Sequence, residues 1–79
     1  MKVIERISRA LDMPGEQVNL TVIALQDAFE INGKHRSFHR VANMLAAIVT
    51  KQSTARYNQK DIVFVNEWTA KKLPKRFTN

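Results

Sequence analysis

The sequence predicts an all-α fold, a small bundle of about four helices. Three observations predict it. Apolar residues recur at helical spacing, most clearly in residues 2–12 and 38–51. Ser37 and Asn58 stand just ahead of apolar-periodic segments, as N-cap residues do. Pro14-Gly15, Asn32-Gly33 and Pro74 punctuate the chain between and after those segments. The 79 residues make one domain, 1–79, with 74–79 a basic C-terminal tail.

The first helix is expected over residues 2–12. Val3, Ile4, Ile7, Ala10 and Leu11 share one face, and Lys2, Glu5, Arg6, Arg9 and Asp12 the other. Glu5 and Arg9 form an i,i+4 pair in the favourable order. Pro14 and Gly15 end this helix. The second is expected over 20–31, with Asn19 as its N-cap. Its polar stripe is narrow, only Gln26, Asp27 and Glu30, which predicts a central, buried helix. Asn32-Gly33 suits a left-handed helix end.

Ser37 caps the third helix, expected over 38–51. Phe38, Val41, Leu45 and Ile48 form its stripe, widened by Met44 and Val49. Lys51 falls in its last turn, where the helix dipole favours a cation. A fourth helix is expected over 59–73, with Asn58 and Asp61 resembling a capping box. Ile62, Val65 and Thr69 share one stripe, with Phe64 and Trp68 beside it. The run Ile62-Val63-Phe64-Val65 also suits a buried strand. Helix is favoured because the only pairing partner, 53–57, is poor.

Charge divides the chain. Residues 1–31 carry three cations against five anions; residues 32–79 carry ten cations against two anions. Such a one-sided basic surface attracts phosphate, anionic lipid or an acidic protein face. The longest apolar run, residues 44–49, is far short of the roughly 20 residues of a membrane span. Residues 1–11 lack the continuous apolar core of a secretory signal. There is no Cys to form a disulfide or a thiolate metal site. These features fit a cytoplasmic protein.

Three constellations are candidates for function. In the first, helices 20–31 and 38–51 form a helix-turn-helix. The second helix then presents His39, Arg40, Asn43, Ala46, Ala47 and Thr50 to a major groove, where Arg and Asn read guanine and adenine edges. Lys34, Arg36 and Lys51 would sit near phosphates. The competing reading makes His39, Arg40 and Asn43 an ordinary solvated face, with Ala42, Ala46 and Ala47 in a close helix contact. The turn is also longer than the usual three to four residues.

The second constellation interleaves cations and rings: Lys51, Arg56, Tyr57 and Lys60, then Lys71, Lys72, Lys75, Arg76 and Phe77. That mixture suits single strands, whose bases stack on rings while cations follow phosphates. The third is His35 with His39, an i,i+4 pair. Ser37, capping between them, takes His35 off the common face, so no metal site is expected. The sequence carries no Gly-rich phosphate loop and no marked nucleophile with an oriented base, so no cofactor and no catalysis are expected.

The leading expectation is therefore a small basic nucleic-acid-binding protein of regulatory or accessory type. Its phosphate contacts would be Lys34, Arg36, Arg40, Lys51, Arg56, Lys60, Lys71, Lys72, Lys75 and Arg76, with Arg40 and Asn43 able to read bases. The alternative is a protein-interaction module, an adaptor or inhibitor whose basic half docks on an acidic face of a larger protein. Helix 20–31, and Met44 or Trp68 where exposed, would supply its apolar contacts, including those of a homodimer.

Overall fold

The computed structural model describes residues 2–73, and they form four α-helices and no strand. These are α1 (Lys2–Leu11), α2 (Gly15–Ile31), α3 (Phe38–Val49) and α4 (Gln59–Lys72). The basic tail lies outside the described residues. The run 62–65 is helical, so the alternative strand does not form. None of these helices is long and apolar enough to cross a membrane.

α1 buries Val3, Ile4, Ile7 and Leu11 on the face its periodicity marks. It ends in a left-handed residue, Asp12, with φ 52°. The Met13 N–H then donates back to the Ser8 carbonyl at 3.1 Å. The Ser8 hydroxyl donates to the Met13 carbonyl, closing the corner.

α2 begins at Gly15, five residues before the expected start. Pro14 takes the N-cap position, and its carbonyl accepts from the Val18 N–H at 3.1 Å. Asn19 is inside the helix and exposed, so it caps nothing. The buried stripe is Val18, Val22, Leu25 and Phe29. Leu20, Ile23 and Ile31 point outward. α2 is thus not the buried centre that its composition predicts.

That place belongs to α3. Val41, Ala42, Met44, Leu45, Ala46 and Ala47 are all buried, because α1, α2 and α4 each pack on this helix. Small side chains at 42, 46 and 47 let those neighbours approach closely. Met44 is fully buried and offers nothing to a partner.

α4 buries Ile62, Val65 and Thr69, with Phe64 and Trp68 half-buried beside them, as its two stripes predict. It reaches α2 through rings, Phe29 and Phe64 lying 4.7 Å apart at 41°.

Two helix ends share one hydrogen-bond pattern. After α2, Gly33 sits at φ 77°, and the Gly33 and Lys34 N–H groups donate to Glu30 and Phe29 carbonyls at 2.9 Å each. After α3, Lys51 sits at φ 57°, with its N–H on Ile48 at 3.1 Å and that of Gln52 on Ala47 at 2.8 Å. Lys51 is therefore past the helix, not in its last turn. A side chain in this left-handed conformation is strained by about 1 kcal/mol relative to Gly. Lys51→Gly is expected to raise the urea midpoint, adding up to about 1 kcal/mol of stability. An unchanged or lower midpoint would contradict that account.

Candidate nucleic-acid interface

One ion pair ties two parts of the basic half together. Asp61, in the first turn of α4, is 2% exposed, and its two carboxylate oxygens accept from the Arg36 guanidinium at 2.8 and 3.2 Å. Arg36 is half-buried and also donates to the His35 carbonyl at 3.2 Å. Its guanidinium carbon stands 5.9 Å from the Phe29 ring centre. The Arg36 carbonyl accepts from the Gln26 side chain at 3.0 Å. The hydrogen bonds to Asp61 raise the guanidinium's pKa above its ordinary value, burial working the other way. Arg36 is thus committed inside the fold instead of standing free for phosphate.

This pair holds the start of α4 beside the connection 32–37 that leads into α3. Asn58 caps α4, its side-chain oxygen accepting from the Lys60 and Asp61 N–H groups at 2.9 and 3.4 Å. Asp61 does not complete a capping box; its carboxylate is spent on Arg36. Ser37 caps α3 as expected, its hydroxyl oxygen accepting from the Arg40 N–H at 3.1 Å. His35 accordingly lies in the connection and His39 on the helix.

From the far end of α3 the chain must return past the helix to reach α4. Arg6 of α1 donates to the Gln52 side chain at the start of that return. The Gln59 side-chain amide donates to the Thr54 and Tyr57 carbonyls at 2.8 and 3.1 Å at its end. The return brings Arg56 and Tyr57 against the beginning of α3. Ser37, His39, Arg40, Asn43, Arg56 and Tyr57 then line one open groove of about 570 Å³. His39, Arg40 and Arg56 are exposed; Asn43 and Tyr57 are half-buried. The Arg56 guanidinium carbon lies 5.6 Å from the Tyr57 ring centre. The first turn of α3 holds no acidic residue to oppose the partial positive charge of its N-terminus.

The candidate residues therefore sort into groups. His39, Arg40, Asn43 and Arg56 meet in the groove. Lys34 and Lys60 are exposed on the 32–37 connection and the first turn of α4, the two segments that the Arg36–Asp61 pair brings side by side. Lys51 is exposed at the other end of α3, about 18 Å along a helix of 12 residues. Lys71 and Lys72 end α4 and line a different groove with Phe64, Trp68 and part of α2. Lys75 and Arg76 lie outside the described residues.

The recognition-helix geometry does not survive. Ala46 and Ala47 face the core, and Thr50 is half-buried with its hydroxyl donating to the Ala46 carbonyl at 2.7 Å. Of α3, only His39 and Arg40 are exposed, with Asn43 half-buried one turn on. The close helix contact expected of Ala42, Ala46 and Ala47 does form. Tyr57 enters the site from the second constellation; the signal for it was the adjacent cation and ring, Arg56-Tyr57.

The chain matches no family model, no curated protein and no solved structure in comparisons with each.

Proposed function

We propose that this chain is a small nucleic-acid-binding protein of regulatory or accessory type, and that it holds a single-stranded segment in the groove at the start of α3. The observation that carries this reading is the convergence of Arg40, Asn43 and His39 with Arg56 and Tyr57, from separate parts of the chain, in one groove. Arg40 and Arg56 would take phosphates, with Lys34 and Lys60 nearby. Tyr57 supplies a ring on which a base can stack, and Asn43 a side chain able to bond a base edge. An open groove with a ring fits a strand whose bases are splayed better than it fits a duplex, since only His39 and Arg40 of α3 are exposed and this helix offers no full outward face to a major groove. Ser37 and His39 receive no catalytic role; the Ser37 hydroxyl oxygen is occupied in capping.

Fluorescence anisotropy with labelled single- and double-stranded oligonucleotides tests this. Affinity for the single strand is expected to fall steeply with salt, with a log–log slope of roughly −3 if about four cations neutralise phosphates. Arg40→Ala with Arg56→Ala should remove about half of that slope and weaken binding at low salt by roughly tenfold or more. Tyr57→Leu should weaken it about tenfold through lost stacking. Lys71→Ala with Lys72→Ala should do much less. Affinity that barely changes with salt, or that ignores Arg40 and Arg56, defeats the reading.

A second reading is a protein-interaction module whose basic half docks on an acidic protein face. Its support is that Lys34, Arg40, Lys51, Arg56 and Lys60 of the basic half are all exposed. It predicts no oligonucleotide binding and a loss of partner binding when Arg40 and Arg56 are made neutral.

A further inference from the structure

The outer face of α2 carries apolar side chains, with Asp27 among them, that no described element covers. Leu20, Ile23 and Ile31 are 66%, 43% and 85% exposed, and Ala24 is exposed between them. Isolated exposed apolar residues are ordinary; a strip along one helix beside an aromatic wall marks an interaction surface. Here the wall belongs to α4. Ala24, Ala28 and Ile31 line one side of a groove of about 530 Å³, and Phe64 and Trp68 line the other.

The rim identifies the occupant. Asp27 stands on the α2 side of this groove and Lys71 and Lys72 on the α4 side, all three exposed. An acidic partner would be repelled by Asp27, and a basic one by Lys71 and Lys72. A second copy of the same face satisfies both. Under a two-fold axis, α2 of each copy lies on α4 of the other, and Asp27 meets Lys71 and Lys72 twice. Ala24 and Ala28, one turn apart, keep side-chain bulk low where two helices would cross.

We propose that the α2–α4 face is the interface of an isologous homodimer. It is separate from the groove of His39, Arg40, Asn43, Arg56 and Tyr57 and does not depend on what that groove binds. The two grooves share no lining residue, so association through one does not use the residues of the other.

Sedimentation velocity of the full chain through the micromolar range tests the proposal. A species of twice the chain mass is expected, growing with concentration. Ile31→Glu should leave a folded monomer, since this side chain is outside the core; helical circular dichroism checks the fold. Asp27→Lys alone, and Lys71→Asp with Lys72→Asp alone, should each weaken association by roughly tenfold or more, and all three together should restore most of it. A wild-type chain that stays monomeric overturns the proposal. So does a dimer indifferent to Ile31→Glu, or a charge swap that restores nothing. A monomer that dimerises only when shortened to end at Leu73 also overturns it, because the occupant is then the chain's own tail. Anisotropy of the Ile31→Glu monomer separates this from the nucleic-acid reading: single-site binding persists there if only the dimer fails.

Discussion

Replacing Arg36 by Met is expected to lower the unfolding free energy by about 3 kcal/mol. The cost comes from the partner left behind. Asp61 is buried, and without Arg36 its carboxylate has lost the donors that hold both oxygens. The reverse change, Asp61→Asn, should cost less, about 1–2 kcal/mol, because Arg36 is only half-buried and can turn to water. Arg36→Met with Asp61→Leu should recover much of the loss, since an apolar pair of similar volume replaces a buried ion pair at little cost. Urea unfolding of the four proteins checks this. Equal costs for the two single variants would mean that the carboxylate is not the stranded group. The pH behaviour follows from the sign of the shift. Arg36 is held above its ordinary pKa, so its contribution is complete below that ordinary value and is lost only as pH rises through the higher folded one. Moderately alkaline buffer should therefore leave the Arg36 contribution intact. The same variants separate scaffold from surface: Arg36→Met should act on stability, Arg40→Ala and Arg56→Ala on binding alone.

The helices were readable because their signals are local. Ser37 and Asn58 cap as their residue types prescribe, and α1 and α4 bury the stripes that their spacing marks, whereas α3 buries Val41, Met44 and Leu45 of its stripe, leaves Phe38, Ile48 and Val49 half-buried, and buries Ala42, Ala46 and Ala47 instead. Reading Pro14-Gly15 only as a break places the start of α2 five residues late. Pro is well suited to a helix beginning, and Val18 extends the i, i+4, i+7 pattern of Val22 and Leu25 backward. The burial of α2 departs from its composition for another reason. Composition says how much of a helix can be buried, whereas neighbours decide how much is. With three other helices in the bundle, α2 has cover on one side only, and the small residues of α3 win the centre.

The site was half readable. Composition and charge mark His39, Arg40, Asn43 and Arg56 individually, and Arg56-Tyr57 is adjacent in sequence. Their meeting depends on the path of residues 50–58, which is set by the reversal at Lys51 and by the contacts of Gln52 and Gln59. The commitment of Arg36 was not readable at all. Its partner is 25 residues away in sequence, and no local rule distinguishes a cation that pairs inside the fold from one that faces phosphate. Among the cations of residues 32–73, Arg36 is a tie inside the fold, Arg40 and Arg56 line one groove, Lys71 and Lys72 line another, and Lys34, Lys51 and Lys60 stand outside both.

Phe29→Ala is expected to cost about 4 kcal/mol, enough to leave a domain of this size largely unfolded or nearly so. Phe29 is 1% exposed and is among the largest fully buried side chains. Its ring meets Phe64 of α4 and lies under the Arg36 guanidinium. Its carbonyl accepts from the Asn32 and Lys34 N–H groups at 3.0 and 2.9 Å, fixing the end of α2. One residue therefore joins α2, α4 and the connection into α3. Removing the ring opens a cavity, frees Phe64 and takes away one wall of the Arg36–Asp61 site. Phe29→Leu keeps most of the volume and should cost only about 1–2 kcal/mol. A cycle of Phe29→Leu with Phe64→Leu should show about 0.5–1.5 kcal/mol of coupling from the ring pair itself. Because Phe29 also backs Arg36, Phe29→Leu and Arg36→Met should not add: once the ring is gone, part of what holds the guanidinium over Asp61 is gone as well. Strict additivity in urea unfolding would show the aromatic contact and the ion pair to be independent, and the junction of α2, α4 and the connection to be two supports instead of one.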